Sequence, residues 1–432
     1  MIRPALAKIR WSKRRGRAQE CAPQKRHEVP FHVARSPGAV EAGARRRVRA
    51  LAGAGEQSGG VVPSRLSRPA CPVQLVIGPS RRATTRVAPT APRPRDRFVK
   101  AWQMPRLGDP RRELEAVELS PPEAPPGSVR IRVDASDLNF ADILQCQGSY
   151  QVKWTPPFTP GMVAAGVVEA AGAGTAFAAG ERVVGPTVEP NGGFAEQCML
   201  LAEQSHRIPA AISSRAAMAV HITYATAWFA FHRRAHLVAG ESILVLAAAG
   251  GVGTAAVQMA RAHGCWVIGA VGGSAKAEVA TRAGADLVID YEADDLYRRV
   301  MDATDGRGVD VVYDPVGGRH FDTVRRLLAW EGRLLVIGFA GGEIPAAPAN
   351  HLLVKNYSVV GVHMGGYRER DPELVAQCYA DVYRQLADGT IKPLISEVVG
   401  FDALPDALER LGARKTVGRV LFDPSRGSSV SA

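Results

Sequence analysis

The chain has 432 residues, 46% of them apolar, which at about 150 residues per domain is enough for two buried cores and excludes a wholly disordered protein. A formal charge of +12 would point to a polyanionic partner, but the charge is segregated: residues 1 to 98 hold 22 Lys and Arg against five acids, a balance of +17, whereas residues 99 to 432 carry −5. Cys21, Cys71, Cys146, Cys198, Cys265 and Cys378 form no CxxC pair and no zinc-like cluster, so a zinc finger is excluded and reduced thiols of a cytoplasmic protein are expected.

Residues 1 to 98 are rich in Arg, Ala, Gly and Pro, with runs such as Arg45-Arg46-Arg47 and no sustained apolar periodicity. A segment of this kind buries too little surface to offset its ordering entropy, and a disordered basic extension is expected. Three readings stand open for it: a nucleic-acid arm, an organelle transit peptide, or upstream sequence translated from a misassigned start. From Val99 the texture changes. Val129 to Val133 alternates apolar and polar as a half-buried strand does, and 161 to 168 and 181 to 185 give further short β segments bounded by Gly and Pro. Beyond about residue 225, candidate strands at 243–247, 266–271, 287–290, 309–314, 333–338 and 357–362 alternate with helical stretches, the pattern of a doubly wound parallel sheet. The run from Ser242 to Ala260 lacks charge, but Gly250, Gly251 and Gly253 divide it into strand and helix, so no membrane span is expected.

That division carries the sharpest signal. Ile243 to Ala247 runs into Ala248-Ala-Gly-Gly-Val-Gly253, and Val252, Ala255, Ala256, Met259 and Ala260 then repeat at helical spacing before Gly264. Small residues are needed here: Gly250 so that backbone approaches a pyrophosphate, Gly253 so that helix packs on strand, with Ala249, Gly251 and Val252 completing the turn. Where a site for the unphosphorylated cofactor has an acid at the second strand's end, this chain reads Val271-Gly-Gly-Ser-Ala-Lys276. Gly272, Gly273 and Ser274 leave room for a 2′-phosphate and Lys276 supplies a cation, so NADPH is the expected cofactor.

With Val99-Lys-Ala-Trp, Asp137-Leu-Asn-Phe-Ala-Asp142, Pro160-Gly161, Asp314-Pro-Val-Gly-Gly318, Gly338-Phe-Ala-Gly-Gly342 and Lys355-Asn356 in this order, residues 99 to about 422 resemble the zinc-independent quinone oxidoreductases. These are a branch of the medium-chain dehydrogenase/reductase superfamily. The resemblance implies an α/β fold: a GroES-like β-rich domain (99–225, completed by 361–432) around a Rossmann doubly wound parallel sheet (226–360). Val99 resembles the family's initiator, so a native start there is expected. Zinc-dependent relatives carry a catalytic Cys where Asn139 stands and His-Glu where Met162-Val163 stands, so no metal is expected. The resemblance places Asn139, Tyr150 and Thr226 near the nicotinamide, Lys276, Tyr291 and Arg414 around the 2′-phosphate, and Gly338 and Phe339 in a ligand-facing loop.

Bland readings compete with these placements: Tyr150 as a loop aromatic, Thr226 as a helix-end residue, Tyr291 as packing. His221 and His363 read as structural. The expected reaction is metal-free hydride transfer from NADPH to a quinone or conjugated carbonyl, with Tyr150 and Asn139 as the catalytic candidates. An enoyl or enone reductase and a non-catalytic, crystallin-like binding protein remain the alternatives. A homodimer joined through the last Rossmann strand is implied by the resemblance; a nucleic-acid partner is not expected.

Overall fold

The computed structural model describes residues 98 to 427; the readings of the basic segment fall on residues outside these. Strands β1 (Val99–Gln103) and β2 (Glu115–Leu119) form an antiparallel pair. β3 (Ser128–Asp137), β4 (Val163–Ala171), β5 (Arg182–Pro186), β6 (Gln197–Leu201) and β7 (His206–Arg207) build an antiparallel sheet. Its inward alternation places Val129, Ile131 and Val133 against Ala164, Val168, Val183, Cys198 and Leu200. β3 runs past the expected end at Val133 because its last residues pair with a strand almost 300 positions away, a partner that local alternation does not reveal.

A second, all-parallel sheet comprises β8 (Ser242–Leu246), β9 (Trp266–Val271), β10 (Leu287–Asp290), β11 (Val309–Asp314), β12 (Leu328–Val336) and β13 (Ser358–Gly361), in the order β10-β9-β8-β11-β12-β13. Every residue of β8 is buried, as a strand covered on both faces must be. Ile243 and Val245 face one core with Val267, Val311 and Leu335, while Leu244 and Leu246 face the other with Ile268, Ile289 and Val312. The strand order reverses between β8 and β11, and in such sheets ligands bind at the carboxyl ends beside that reversal.

The chain then returns toward the first sheet. Helix Pro372–Ala387 buries Val375, Cys378, Tyr379 and Val382 against helices Ser214–His221 and Thr223–Trp228. β14 (Ile395–Val399) pairs parallel with β15 (Arg419–Phe422), which pairs antiparallel with β3. Among the described residues no helix is long and apolar enough to cross a membrane. Cys146, Cys198, Cys265 and Cys378 are buried free thiols.

Candidate active site

β8 leads through Ala247, at φ 49°, into helix Gly251–Ala262. A β-carbon on Gly250 would meet nothing nearer than the Ala247 oxygen at 3.4 Å, so its backbone is open to a ligand, whereas one on Gly253 would collide with that same oxygen and lie 2.8 Å from Ala248 Cα. The two glycines thus serve different needs: access at the first, close helix–strand packing at the second. The loop is also tied to β15, since Gly418 N–H donates to the Ala249 oxygen at 2.8 Å and Gly250 bridges Gly418. Val252 is half-buried against the core beside it. Backbone N–H groups of the first helical turn have no intrahelical acceptor, which makes the turn receptive to an anion.

At the end of β9, Gly273 adopts φ 99° and Ser274 opens helix Ser274–Ala283. The Lys276 side chain has no hydrogen-bond or ion-pair partner among the described residues. Tyr291 Oη and Glu292 Oε1 would lie 2.9 and 2.8 Å from a β-carbon on Gly272. The Tyr291 ring is 4.9 Å from that of His320, and the phenol is held above its ordinary pKa first by burial and then by Glu292, opposed by Arg319 and Arg414. Arg414 donates to the Ala340 oxygen at 2.9 Å. It thereby joins the Gly338–Gly342 loop, in which Phe339 is partly exposed, to this corner. That loop rests on the β11 turn, where buried Asp314 accepts N–H bonds from Val316 and Gly317, both at 2.8 Å.

The structure therefore gathers Gly272, Tyr291, Arg414 and the Gly338 loop, and adds two groups the sequence reading did not name. Arg319 follows the Asp314–Gly318 motif directly. Glu292 lies two residues beyond β10, so an acid does reach the glycine turn, from the third strand rather than the second. Asp290 accompanies it, accepting the Gly273 N–H at 2.8 Å.

On the other side, Asn139 caps helix Phe140–Cys146, and the fully buried Asp142 carboxylate accepts the Asn139 N–H at 2.8 Å and the Met162 N–H at 2.9 Å. Burial pushes the Asp142 carboxyl up to about 6, partly offset by those two bonds. Half-buried Tyr150 is held above its usual pKa, first by burial and then by Asp142; the opposing cation is Arg368. Thr226 is half-buried and its hydroxyl donates to the Ile222 oxygen at 2.7 Å, an intrahelical bond that leaves its lone pairs free. Among the described residues no hydrogen bond joins Thr226 to Asn139 or Tyr150.

His221 is buried and stacked on Tyr379, with ring centroids 4.7 Å apart, while His363 is exposed. On this side of the site, sequence reasoning missed Arg419. It is buried at 5% exposure, pairs with Asp137, donates to Asn139 Oδ1 at 3.0 Å, and would block a β-carbon on Gly251. Among the described residues no three His, Cys, Asp or Glu side chains converge on a common point for a metal.

A glycine loop at the switch point of a parallel sheet, tied by β15 to an antiparallel sheet, is the architecture of the medium-chain dehydrogenase/reductase class. Family models agree in both parts: residues 125–228 match the alcohol dehydrogenase GroES-like domain and 251–380 the zinc-binding dehydrogenase domain. Quinone oxidoreductase-like protein 2 of Bos taurus is 38% identical over 72% of this chain and 89% of its own length. The Nematostella vectensis homologue is 38% identical over 68% of this chain and 81% of its own. Among solved structures, Escherichia coli quinone oxidoreductase complexed with NADPH superimposes with a TM-score of 0.68 at 29% identity, covering 75% of this chain and all of that one. The chain belongs to the quinone oxidoreductase family of the medium-chain dehydrogenase/reductase superfamily.

Proposed function

We propose that this protein is an NADPH-dependent reductase that delivers a hydride to a quinone or an α,β-unsaturated carbonyl without a metal. The observation that carries the reading is the placement of Arg419, which touches both the first turn after the glycine loop and Asn139, so the acceptor-side amide stands beside the nucleotide loop. The residues present fit the cofactor. Gly250 gives an open backbone at a helix N-terminus for the pyrophosphate, and Tyr291, which borders Gly272 and feels the charges of Arg319 and Arg414, marks the corner that would take a 2′-phosphate. Lys276 adds a cation without an acidic partner among the described residues, and the loop of Gly338 and Phe339 reaches this corner through the Arg414 bond to Ala340. The complex of the Escherichia coli relative with NADPH supports this choice.

When bound, NADPH supplies the hydride; the chain supplies alignment, a dry pocket and donors for the charge that develops on the acceptor oxygen. Tyr150, a phenol protonated at neutral pH and held above its ordinary pKa by burial and Asp142, acts as a donor rather than a base. Asn139 is the second donor. Asn139 in place of a catalytic Cys, and Met162-Val163 in place of His-Glu, support the metal-free reading. The test is NADPH oxidation with a panel of quinones, enones and enoyl thioesters, with chelator present. Turnover of quinones or enones is expected; turnover confined to enoyl thioesters would move the assignment to an enoyl reductase, and none with any acceptor would favour a non-catalytic binding protein. For assembly we propose a homodimer through β13, a sheet edge beside exposed Trp330, Leu353 and Val354, and for location the cytoplasm. A monomer by light scattering at micromolar concentration would contradict the first.

A further inference from the structure

Asp137 and Arg419 come together because Asp137 is opposite Leu421 across the β3–β15 pair, and Arg419 lies two residues along, on the same face. Asp137 is wholly buried and Arg419 nearly so. Apart from their ion pair, neither oxygen of the Asp137 carboxylate accepts a hydrogen bond, and Arg419 Nε has no acceptor among the described residues. The guanidinium also presses on Gly251, at the positive end of helix Gly251–Ala262, where a cation is disfavoured unless an anion balances it. Asp137 is that anion. A buried ion pair contributes little net stability, and apolar replacement is often neutral or stabilising, so its value here lies in geometry.

The geometry acts on Asn139. Arginine carries donors only, so the side-chain atom 3.0 Å from Arg419 Nη2 is the amide oxygen, and the amide cannot be flipped without setting two donors face to face. Asn139 Nδ2 spends one N–H on the Asp137 backbone oxygen at 3.3 Å, and the side-chain amide also interacts with the buried Asp142 carboxylate. Asp137 therefore holds both ends of the arrangement: its carboxylate holds Arg419, and its carbonyl holds the amide nitrogen.

We propose that Asp137 and Arg419 are a positioning pair that locks the Asn139 amide with its oxygen on Arg419 and its NH2 turned toward the acceptor side. This rests on the reading above in that it takes Asn139 to face the acceptor. It assigns Arg419 a role in the rate of hydride transfer.

The experiment compares wild type with Asn139→Ala, Arg419→Met, the double variant, Arg419→Lys and Asp137→Asn. Single-turnover hydride transfer to a quinone, NADPH affinity by fluorescence quenching and Tm are measured for each. Arg419→Met is expected to slow transfer roughly 10- to 100-fold, with NADPH affinity altered less than about threefold. In the Asn139→Ala background the same change should have no further effect on the rate, because two residues acting through one group are not additive. Arg419→Lys should not rescue, since an ammonium lacks the planar fork. Asp137→Asn, nearly isosteric, should show a smaller loss of rate and serves where Arg419→Met does not fold. Additive losses, or a loss of NADPH affinity or Tm with the transfer rate intact, would overturn the pair's positioning role. A readout independent of turnover is the Asn139 side-chain NH2 in ¹H–¹⁵N spectra: shifts displaced from those of a solvated amide and slow solvent exchange in wild type, with the shifts moving toward the solvated values and exchange accelerating in Arg419→Met. Unchanged NH2 signals refute the lock even if no acceptor is turned over, whereas absence of turnover with the signals as expected would sink only the functional reading.

Discussion

The nucleotide loop and the acceptor side touch at Arg419, yet they are built in opposite ways. From Ile243 to Ala260 the loop is one continuous strand, turn and helix, in which Gly253 answers to Ala247 and Ala248 a few positions away, Gly250 opens to space, and of the three glycines only Gly251 meets a distant side chain, Arg419. The acceptor side draws Asp137, Asn139 and Asp142 from one segment, Met162 from a second, Arg368 from a third and Arg419 from a fourth. The difference teaches that tolerance to substitution follows the type of neighbour: backbone, which cannot move, in the loop, and side-chain and N–H partners, each with a separable hydrogen bond, opposite.

The comparison breaks first at the glycines if it is wrong. Gly253→Val drives a side chain into backbone and should cost about 4 kcal/mol or more, or prevent folding, while Gly250→Ala should leave thermal stability within about 1 kcal/mol and weaken NADPH binding. Equal thermal losses in the two variants would show that the loop's glycines are not divided between packing and access. On the opposite side, Asp142→Ala leaves the Asn139 and Met162 N–H groups without their acceptor, and urea unfolding should register a loss of roughly 2–6 kcal/mol, from about 1–3 for each unsatisfied donor. A loss below about 0.5 kcal/mol would mean that water replaces the carboxylate.

The smallest expected effect sharpens the picture behind the site. Burial, and then the Arg368 cation, depress His206 to about 4, while neighbouring His221 is held well below its usual value by burial and by Arg368 and His206. Both rings pack on Tyr379. A base with a lowered folded pKa takes up its proton more readily when unfolded, so stability is lost as pH falls from about 6.5 toward 4. Relative to wild type, His206→Gln should flatten the stability profile across that window by up to about 1.4 kcal/mol per pH unit. Parallel profiles would place His206 in solvent.

What was legible in the sequence follows the same divide. The parallel sheet, the helix after Gly250 and the β-rich partner could be read because periodicity and glycine spacing are local. Boundaries slipped where a distant strand extended an element, as β15 does for β3. Glu292 escaped notice because the rule for nucleotide choice looks along β9, whereas the sheet brings the end of β10 beside it. Arg419 and Asp137 escaped because nothing in Gly418-Arg-Val-Leu-Phe422 says which residue it faces; register between β3 and β15 decides that.

The central claim, a phosphate-bearing nicotinamide at the Gly272 corner, is tested most directly by kcat/KM with NADPH and NADH in wild type and in Lys276→Ala and Arg414→Ala, with Glu292→Gln as counter-probe. A charge-assisted hydrogen bond is worth roughly 1.5–3 kcal/mol, one to two decades. NADPH should therefore be preferred by about two decades or more, each cation-removing variant should lower kcat/KM for NADPH and leave that for NADH nearly unchanged, and Glu292→Gln should widen the preference by removing a carboxylate beside the phosphate. Equal use of both nucleotides by wild type, or equal weakening of both in the variants, would contradict the account.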